Sequence, residues 1–383
     1  MSDLREILVI GGTGAQGGPV VQGNTAIPIL ITLARSQRYR VRVLTRDTQS
    51  PRAQALLQLP NVHLIQGNQD NQADLHAAFR GVYGAWVNTD GFSIGEKAEL
   101  FYGIRAYEIA RHENVQHYVY ANVDYTLKVA GWNEAYHVGH NDAKARVGDF
   151  ILAQGQEGAM KSSLITTPPY MDMLLDGMFV PKEQDDGSFV WANPASTSSL
   201  YANWLRSQSA LQLLAANELC LLLEDGKIPL IALDDVGAYS LWLFDHFPES
   251  AGLNLEVATD EVTFAEIAKT FSEFTGKRGV HVYKPLEDYL AGAEPYPGAY
   301  SNFMVDPSMP RDESFQTWRE NFSAWWRYWG EGHGVKRDFD LLTKIHPNRI
   351  KGLREWMEKV HYDGKPRQVL KGPDDLKRKM GGA

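Results

Sequence analysis

The chain has 383 residues, 44% of them hydrophobic and 22% charged, enough apolar material for one large domain plus a smaller lobe. Its formal charge of −9 argues against general nucleic-acid affinity, which needs a basic surface. With Cys220 as its single cysteine it forms neither an intramolecular disulfide nor a multi-cysteine zinc site, and no apolar run reaches the length of a membrane span.

Ser2 to Glu6 lead directly into a strand and leave no room for a secretory signal, so a cytoplasmic protein is expected. Ile7 to Ile10 form a short continuous apolar run, the pattern of a parallel strand buried on both faces. The run Gly11-Gly12-Thr13-Gly14-Ala15-Gln16-Gly17 follows, with Gly11, Gly14 and Gly17 at G-x-x-G-x-x-G spacing. Such glycines let the backbone turn tightly and approach a pyrophosphate, and the next helix offers its free N–H groups to the phosphates. Gly11, Thr13, Gly14, Ala15, Gln16 and Gly17 are therefore candidate dinucleotide-binding residues.

The phosphate-binding helix should occupy Pro19 to Arg38. Gly23 and Pro28 interrupt it, however, and Ile27 to Ile31 reads as extended or strongly buried. The stretch is about ten residues longer than the usual spacing of roughly twenty. Residues 19–34 thus read as an insertion in the first helix, or as a retained piece of non-coding sequence.

Val41 to Arg46, Val62 to Gly67, Gly84 to Asn88, His117 to Ala121 and Ser163 to Thr166 read as the second to sixth strands. Helices are expected at Pro51 to Leu59, Gln72 to Arg80, Glu96 to His112 and Asn141 to Ala153. The third of these places Ala98, Phe101, Ile104 and Ile109 on its apolar face. Strand and helix alternate, which means parallel βαβ units in a doubly wound, Rossmann-like α/β sheet.

Beyond Pro168 the alternation fails. Asp176 to Trp191 reads as a loop and hairpin turning at Asp185-Asp186-Gly187, and Leu200 to Leu223 as a packed helix within an extra stretch, 195–223. Ile228 to Leu233 is strand-like, and a helix from Asp234 to Phe247 has an aspartate as its expected cap. Leu253 to Val257 and His281 to Tyr283 are further strands, with a helix between them opened by Thr263 and Glu266 at capping-box spacing. Phe315, Trp318, Phe322, Trp325, Trp326 and Trp329 follow helical spacing, as a helix packed onto the body or as a binding wall. The basic run Lys365 to Lys379 reads as a solvated tail. Three parts result: a nucleotide-binding domain over 1–167, a smaller α/β lobe over 168–310 with interleaved sheet segments, and a helical, aromatic-rich extension over 311–383.

Arg46 ends the second strand, where an acidic residue would bond the ribose 2′-hydroxyl of NAD and an arginine accommodates the 2′-phosphate of NADP. Asn68, with Gln69 and Asp70 beside it, either flanks the adenine or simply turns the chain. Asn88 and Thr89 end the fourth strand, facing the crevice where open α/β sheets bind ligands.

Together, the glycine run, the strand end Val43-Leu44-Thr45-Arg46-Asp47 and His140-Asn141-Asp142-Ala143-Lys144 resemble the NmrA-like family of atypical short-chain dehydrogenases/reductases. Tyr118-Val119-Tyr120, the Asp186 to Trp191 hairpin and Ile228 to Gly237 extend the resemblance over most of residues 5–290. It implies a Rossmann domain with a small α/β lobe and NADP(H) as cofactor. It also implies Lys144 beside the nicotinamide ribose, His140 one helical turn before it, and Pro168, Pro169 and Tyr170 near the nicotinamide. Ordinary short-chain dehydrogenases pair a tyrosine with that lysine and carry a serine on the fifth strand. Here His140 stands at the tyrosine position and the strand runs into Ala121 and Asn122, which leaves His140, Tyr125, Tyr136, Tyr170 or water to move a proton.

The family resembled holds both reductases, some of them tailoring enzymes of fungal secondary metabolism such as alkaloid biosynthesis, and redox-sensing regulators. The expectation is an NADP(H)-dependent oxidoreductase acting on a carbonyl, imine or iminium of a bulky, natural-product-like substrate that an aromatic-rich lobe could stack, a redox-primed cyclisation included. The alternative is a regulator that binds NADP(H) without turnover and signals through a protein partner, in the cytoplasm or nucleus. Neither expectation involves a metal, a membrane or direct contact with nucleic acid.

Overall fold

A computed structural model describes residues 4–12, 28–89, 91–195, 226–301 and 311–369, the side chains of residues 92 and 93 excepted. Thr13, Gly14, Ala15, Gln16 and Gly17, the expected Leu200 to Leu223 helix with Cys220, and most of the basic tail lie outside the described residues.

Strand β1 (Arg5–Ile10) is central. Ile7, Leu8 and Val9 have no exposed surface because parallel neighbours flank the strand and helices cover both faces. To one side lie β2 (Tyr39–Thr45) and β3 (Val62–Gln66). To the other lie β4 (Gly84–Val87), β5 (His117–Asn122), β6 (Lys161–Thr166) and, at the edge, β10 (Asn254–Glu256). The order β10-β6-β5-β4-β1-β2-β3 is parallel throughout, the doubly wound Rossmann-like arrangement. The last strand comes from the second half of the chain.

Helix α1 (Pro28–Arg35) overturns the extended alternative for Ile27 to Ile31. Ile29, Leu30, Leu33 and Ala34 form a buried stripe on it. Burial was the correct half of the expectation. Helices α2 (Pro51–Leu56) and α3 (Gln72–Phe79) match, each opened by a side-chain cap, Ser50 and Asn71 respectively. Helix α4 (Gly91–His112) begins earlier than Glu96, with Gly95 at φ 78° interrupting its first turns. Phe101, expected on the apolar face, is 53% exposed, while Glu99 is buried. A short α5 (Thr126–Val129) precedes α6 (Gly139–Ala153), which packs along α4.

The lobe pairs β7 (Lys182–Glu183) with β8 (Phe189–Asn193) as the expected hairpin, and β8 with β12 (Gly279–Tyr283). A two-stranded ladder joins β9 (Ile228–Leu230) to β11 (Asp260–Val262). Helix α7 (Leu233–Asp245) has no aspartate cap of its own. Asp172, far away in sequence, accepts from Leu233 N at 3.0 Å, and Asp235 instead receives Ile350 N at 3.1 Å. Helix α8 (Phe264–Thr275) carries the expected Thr263–Glu266 capping box, and α9 (Leu286–Ala293) follows.

The aromatic stripe forms α10 (Trp318–Gly330), itself opened by a Thr317–Glu320 capping box. Its Trp325, Trp326 and Trp329 enter one core with Phe179, Trp191, Phe264 and Phe271 of the lobe. Trp356 and Met357 of α12 (Leu353–Lys359) and Tyr362 complete that core, with α11 (Phe339–Ile345) preceding them. Trp318, Phe322, Trp325, Trp326 and Trp329 form a packing face, too buried to serve as a binding wall; Phe315, expected in the same stripe, precedes the helix and is half-buried.

Candidate active site at the carboxyl end of the parallel sheet

Strand order reverses between β1 and β4, which makes the carboxyl end of these strands the switch point at which open sheets of this class bind ligands in a crevice. Gly11 closes β1 at φ 81°, and a Cβ there would stand 2.6 Å from the Asn88 carbonyl oxygen. Only glycine allows this approach and this backbone angle together. Asn88 continues β4 by donating its backbone N–H to Ile10 O at 3.2 Å.

Lys144 reaches this strand end from α6. Its ammonium donates to Thr89 O at 2.7 Å, Thr89 Oγ1 at 3.1 Å and Asn88 Oδ1 at 3.2 Å, and it lies 2.7 Å from Glu99 Oε1. The Thr89 hydroxyl donates to the same Glu99 oxygen at 2.7 Å and lies 3.2 Å from the Tyr120 hydroxyl. Thr89, its proton directed at the carboxylate, accepts from Tyr120. Burial, with the Glu99 charge added, raises the Tyr120 pKa well above the tyrosine range, so Tyr120 is a fixed donor and not an acid. The Lys144 side chain is 11% exposed and Glu99 not at all.

Glu99 was missed from sequence because an acid in an amphipathic helix is assigned to solvent. A signal existed: Glu99, Gly103, Ala106 and Ala110 recur at helical spacing, and all four are buried. The small residues let α6 approach, with a Cβ at Gly103 meeting Val147 at 2.7 Å.

His140 lies on the same helix as Lys144, one turn earlier, as its spacing requires. Its Nδ1 is 3.0 Å from Asn321 Oδ1 on α10, and its ring is 6.1 Å from that of Phe322. Burial pushes the imidazole pKa down to about 4, helped by the Lys144 charge and opposed by the Asn321 hydrogen bond. Near pH 7 this histidine is neutral. Tyr125 accepts from Arg146 Nε at 3.0 Å. Tyr136 donates to Glu331, and burial and that carboxylate push its pKa up to about 12. Tyr170 follows buried Pro168 in a turn pinned to Ile231 by Ile231 N to Pro169 O at 3.1 Å and Met171 N to Ile231 O at 2.9 Å. Asn122, at the position of the usual serine, donates to Thr166 Oγ1 on β6 at 2.9 Å.

Other expected cofactor residues sit farther along the edge. Arg46 is exposed just beyond β2; Asn68 is exposed beyond β3, its backbone N–H donating to Asp74 Oδ2 at 2.8 Å, and Gln69 beside it is half-buried. The C-terminal part of the chain roofs the His140 turn: Gly139 N donates to Gln316 Oε1 at 2.8 Å, and Gln316 Nε2 donates to His137 O at 3.0 Å. Deeper, Arg337 Nη2 makes bonds of 2.8 and 2.9 Å to the two Asp124 oxygens, with both residues buried. Among the described residues, one group of donor atoms is close enough to hold a metal: His76, His112 and Glu113. It lies at the amino-terminal edge of the sheet, away from the crevice, and His76 Nδ1 and Glu113 Oε1 already bond each other at 2.7 Å.

Comparison with known proteins follows the same outline. The sequence profile of the NmrA-like family matches residues 4–306. The NmrA-like family domain-containing oxidoreductase himF of Aspergillus japonicus is 30% identical over 148 residues, 38% of this chain and 41% of that protein. The oxidoreductase malD of Malbranchea aurantiaca is 32% identical over 123 residues, 31% of this chain and 34% of that protein. These matches span less than half the length of the relatives. The crystal structure of NmrA, a negative transcriptional regulator, in complex with NADP superposes with a TM-score of 0.63 at 18% identity, covering 94% of this chain and 99% of that one. Triphenylmethane reductase of Citrobacter sp. complexed with NADP(H) gives 0.62 at 15% identity, over 92% and 99%. At these identities the shared property is the fold. No helix among the described residues is long and apolar enough to cross a membrane.

Proposed function

Since the chain belongs to the NmrA-like family, we propose that it is an NADP(H)-dependent oxidoreductase acting on a carbonyl, imine or iminium group of a bulky natural-product-like molecule. The observation that carries this reading is the position of Lys144, whose ammonium donates to Asn88, the residue packed against Gly11 at the adjoining ends of β1 and β4. Backbone at Gly11 and cation at Lys144 thus border one cleft, at the switch point where this fold class holds a dinucleotide. The residues present fit the cofactor: Gly11 at φ 81° keeps the strand end free of a side chain that would strike the Asn88 carbonyl, and Arg46 is exposed at the end of the second strand, where this fold class meets a 2′-phosphate.

Bound there, NADPH supplies the hydride. Lys144 would hold the nicotinamide ribose, with Asn88 and Thr89 fixing the ammonium from below. His140 is neutral near pH 7, so it accepts a proton or relays one from water and is not a standing acid. The Pro168–Tyr170 turn would border the nicotinamide side. The roof made by Gln316 limits water at the His140 turn. Relatives named oxidoreductases favour turnover. The reading is tested by NADPH consumption against a panel of bulky ketones, imines and iminium salts. Turnover is expected, reduced about 100-fold or more in Lys144→Ala if lysine organises the cofactor; an unaffected variant overturns the assignment.

A second reading, a redox-sensing regulator, is favoured by one observation: a likeness in fold to a protein described as a negative transcriptional regulator. It predicts NADP⁺ and NADPH bound with unequal affinity, no turnover, and partner binding that follows cofactor state. Equal partner binding in both states removes it.

A further inference from the structure

We propose that Glu99 is a positioning residue of this site, its buried carboxylate setting the Lys144 ammonium where the cofactor ribose is met; the proposal rests on the cofactor reading of Lys144. Four acceptors surround the ammonium: Glu99 Oε1, Thr89 O, Thr89 Oγ1 and Asn88 Oδ1. Glu99 is the only one that carries charge. It also orients a second acceptor, because the Thr89 hydroxyl directs its proton at the carboxylate and so turns its lone pairs to Lys144 and Tyr120.

The backbone is built around this carboxylate. A Cβ at residue 91 would overlap it, so Gly91 at the start of α4 is what leaves room for the Glu99 head group. The close approach of α4 and α6 at Gly103 and Val147 brings the two side chains within reach. Fully enclosed, Glu99 cannot touch a substrate or cofactor, and its influence passes through Lys144. A lysine stem is flexible and its ammonium a point charge. The fixed counter-charge adds to the three neutral acceptors in selecting the rotamer that places Nζ over Asn88.

An ion pair that merely joined α4 to α6 would have the same contacts, so the test separates position from stability. NADPH fluorescence titrations are made on wild type, Glu99→Gln, Lys144→Met and the double variant, each checked for folding by circular dichroism. Glu99→Gln is expected to weaken NADPH binding about tenfold, the size of one charge-assisted hydrogen bond. In the Lys144→Met background the same change should have no effect on affinity. An unchanged affinity in Glu99→Gln, or a loss that persists undiminished in the Lys144→Met background, overturns the role. Should Glu99→Gln not fold, Glu99→Asp, which keeps the charge one carbon short, replaces it: a smaller loss that vanishes with Lys144→Met supports the role and an unchanged affinity overturns it. Wild-type protein that does not bind NADPH overturns the cofactor reading and this role with it. Normal wild-type binding that is indifferent to Glu99 overturns this role alone.

Discussion

The lobe core and the carboxyl end of the sheet are both densely buried, and they are built from opposite chemistry. The lobe core gathers Trp191, Phe271, Trp326, Trp329 and Trp356, and its cohesion is apolar area and ring packing. The sheet end gathers Glu99, Lys144, Asp124 and Arg337, whose burial is tolerable only because each charge has a partner. The tryptophans, conspicuous in the sequence, face inward as structure. The charges, unremarkable in the sequence, face one another at the carboxyl end of the sheet. Residue type alone does not mark a candidate site; a buried charge beside the switch point does so better than a conspicuous ring.

Three perturbations sharpen that contrast. Trp326→Ala should cost about 3–5 kcal/mol in a denaturant unfolding curve, as large-to-small changes in aromatic cores do. The protein that remains folded should keep its NADPH affinity. A large affinity change with little loss of stability would mean that the stripe contacts ligand after all.

Arg337→Met should cost a similar or slightly smaller amount, because it strands Asp124 without its partner. Adding Asp124→Asn should recover much of the loss, since an apolar or neutral replacement of both members is tolerated better than an orphaned charge. A single-variant loss below about 1 kcal/mol would mean the pair behaves like an exposed one.

His117 combines both chemistries, with its ring 5.2 Å from that of Phe244 and its Nε2 3.0 Å from Ser163 Oγ. Ser163 donates its own proton to Ser250 O, so Nε2 is the protonated nitrogen and Nδ1 has no partner among the described residues. Burial pushes the pKa down to about 4. Below about 6.5 the unfolded chain takes up a proton that the folded chain refuses, so this group lowers stability as pH falls from about 6.5 to about 4. The effect is at most about 3 kcal/mol. Measured against His117→Gln, the wild-type stability advantage should shrink across that window; a constant difference would refute the burial account.

The sheet was legible because each strand is a short apolar run between turn residues, and Ile7 to Ile10 showed this most clearly. The α10 helix was legible from its ring spacing, and the Lys144 and His140 pairing from its four-residue interval. Three features were not. Helix α1 was obscured because Gly23 and Pro28 read as breakers of its pattern. Glu99 was assigned to solvent because helix patterning counts apolar residues and has no term for a charge whose partner comes from another helix. Arg337 and Asp124 are 213 residues apart, and no local pattern links them.

The central claim is that the crevice between β1 and β4 holds NADP(H) with its nicotinamide ribose at Lys144. A crystal structure of the protein soaked with NADPH tests it directly. The account predicts the pyrophosphate over the Gly11 loop, a ribose hydroxyl within hydrogen-bond distance of Lys144 Nζ, and the nicotinamide facing an enclosed space beside Pro168 and Tyr170. A nucleotide bound elsewhere, or a ribose out of reach of Lys144 while the Lys144–Glu99 pair stays intact, would contradict it.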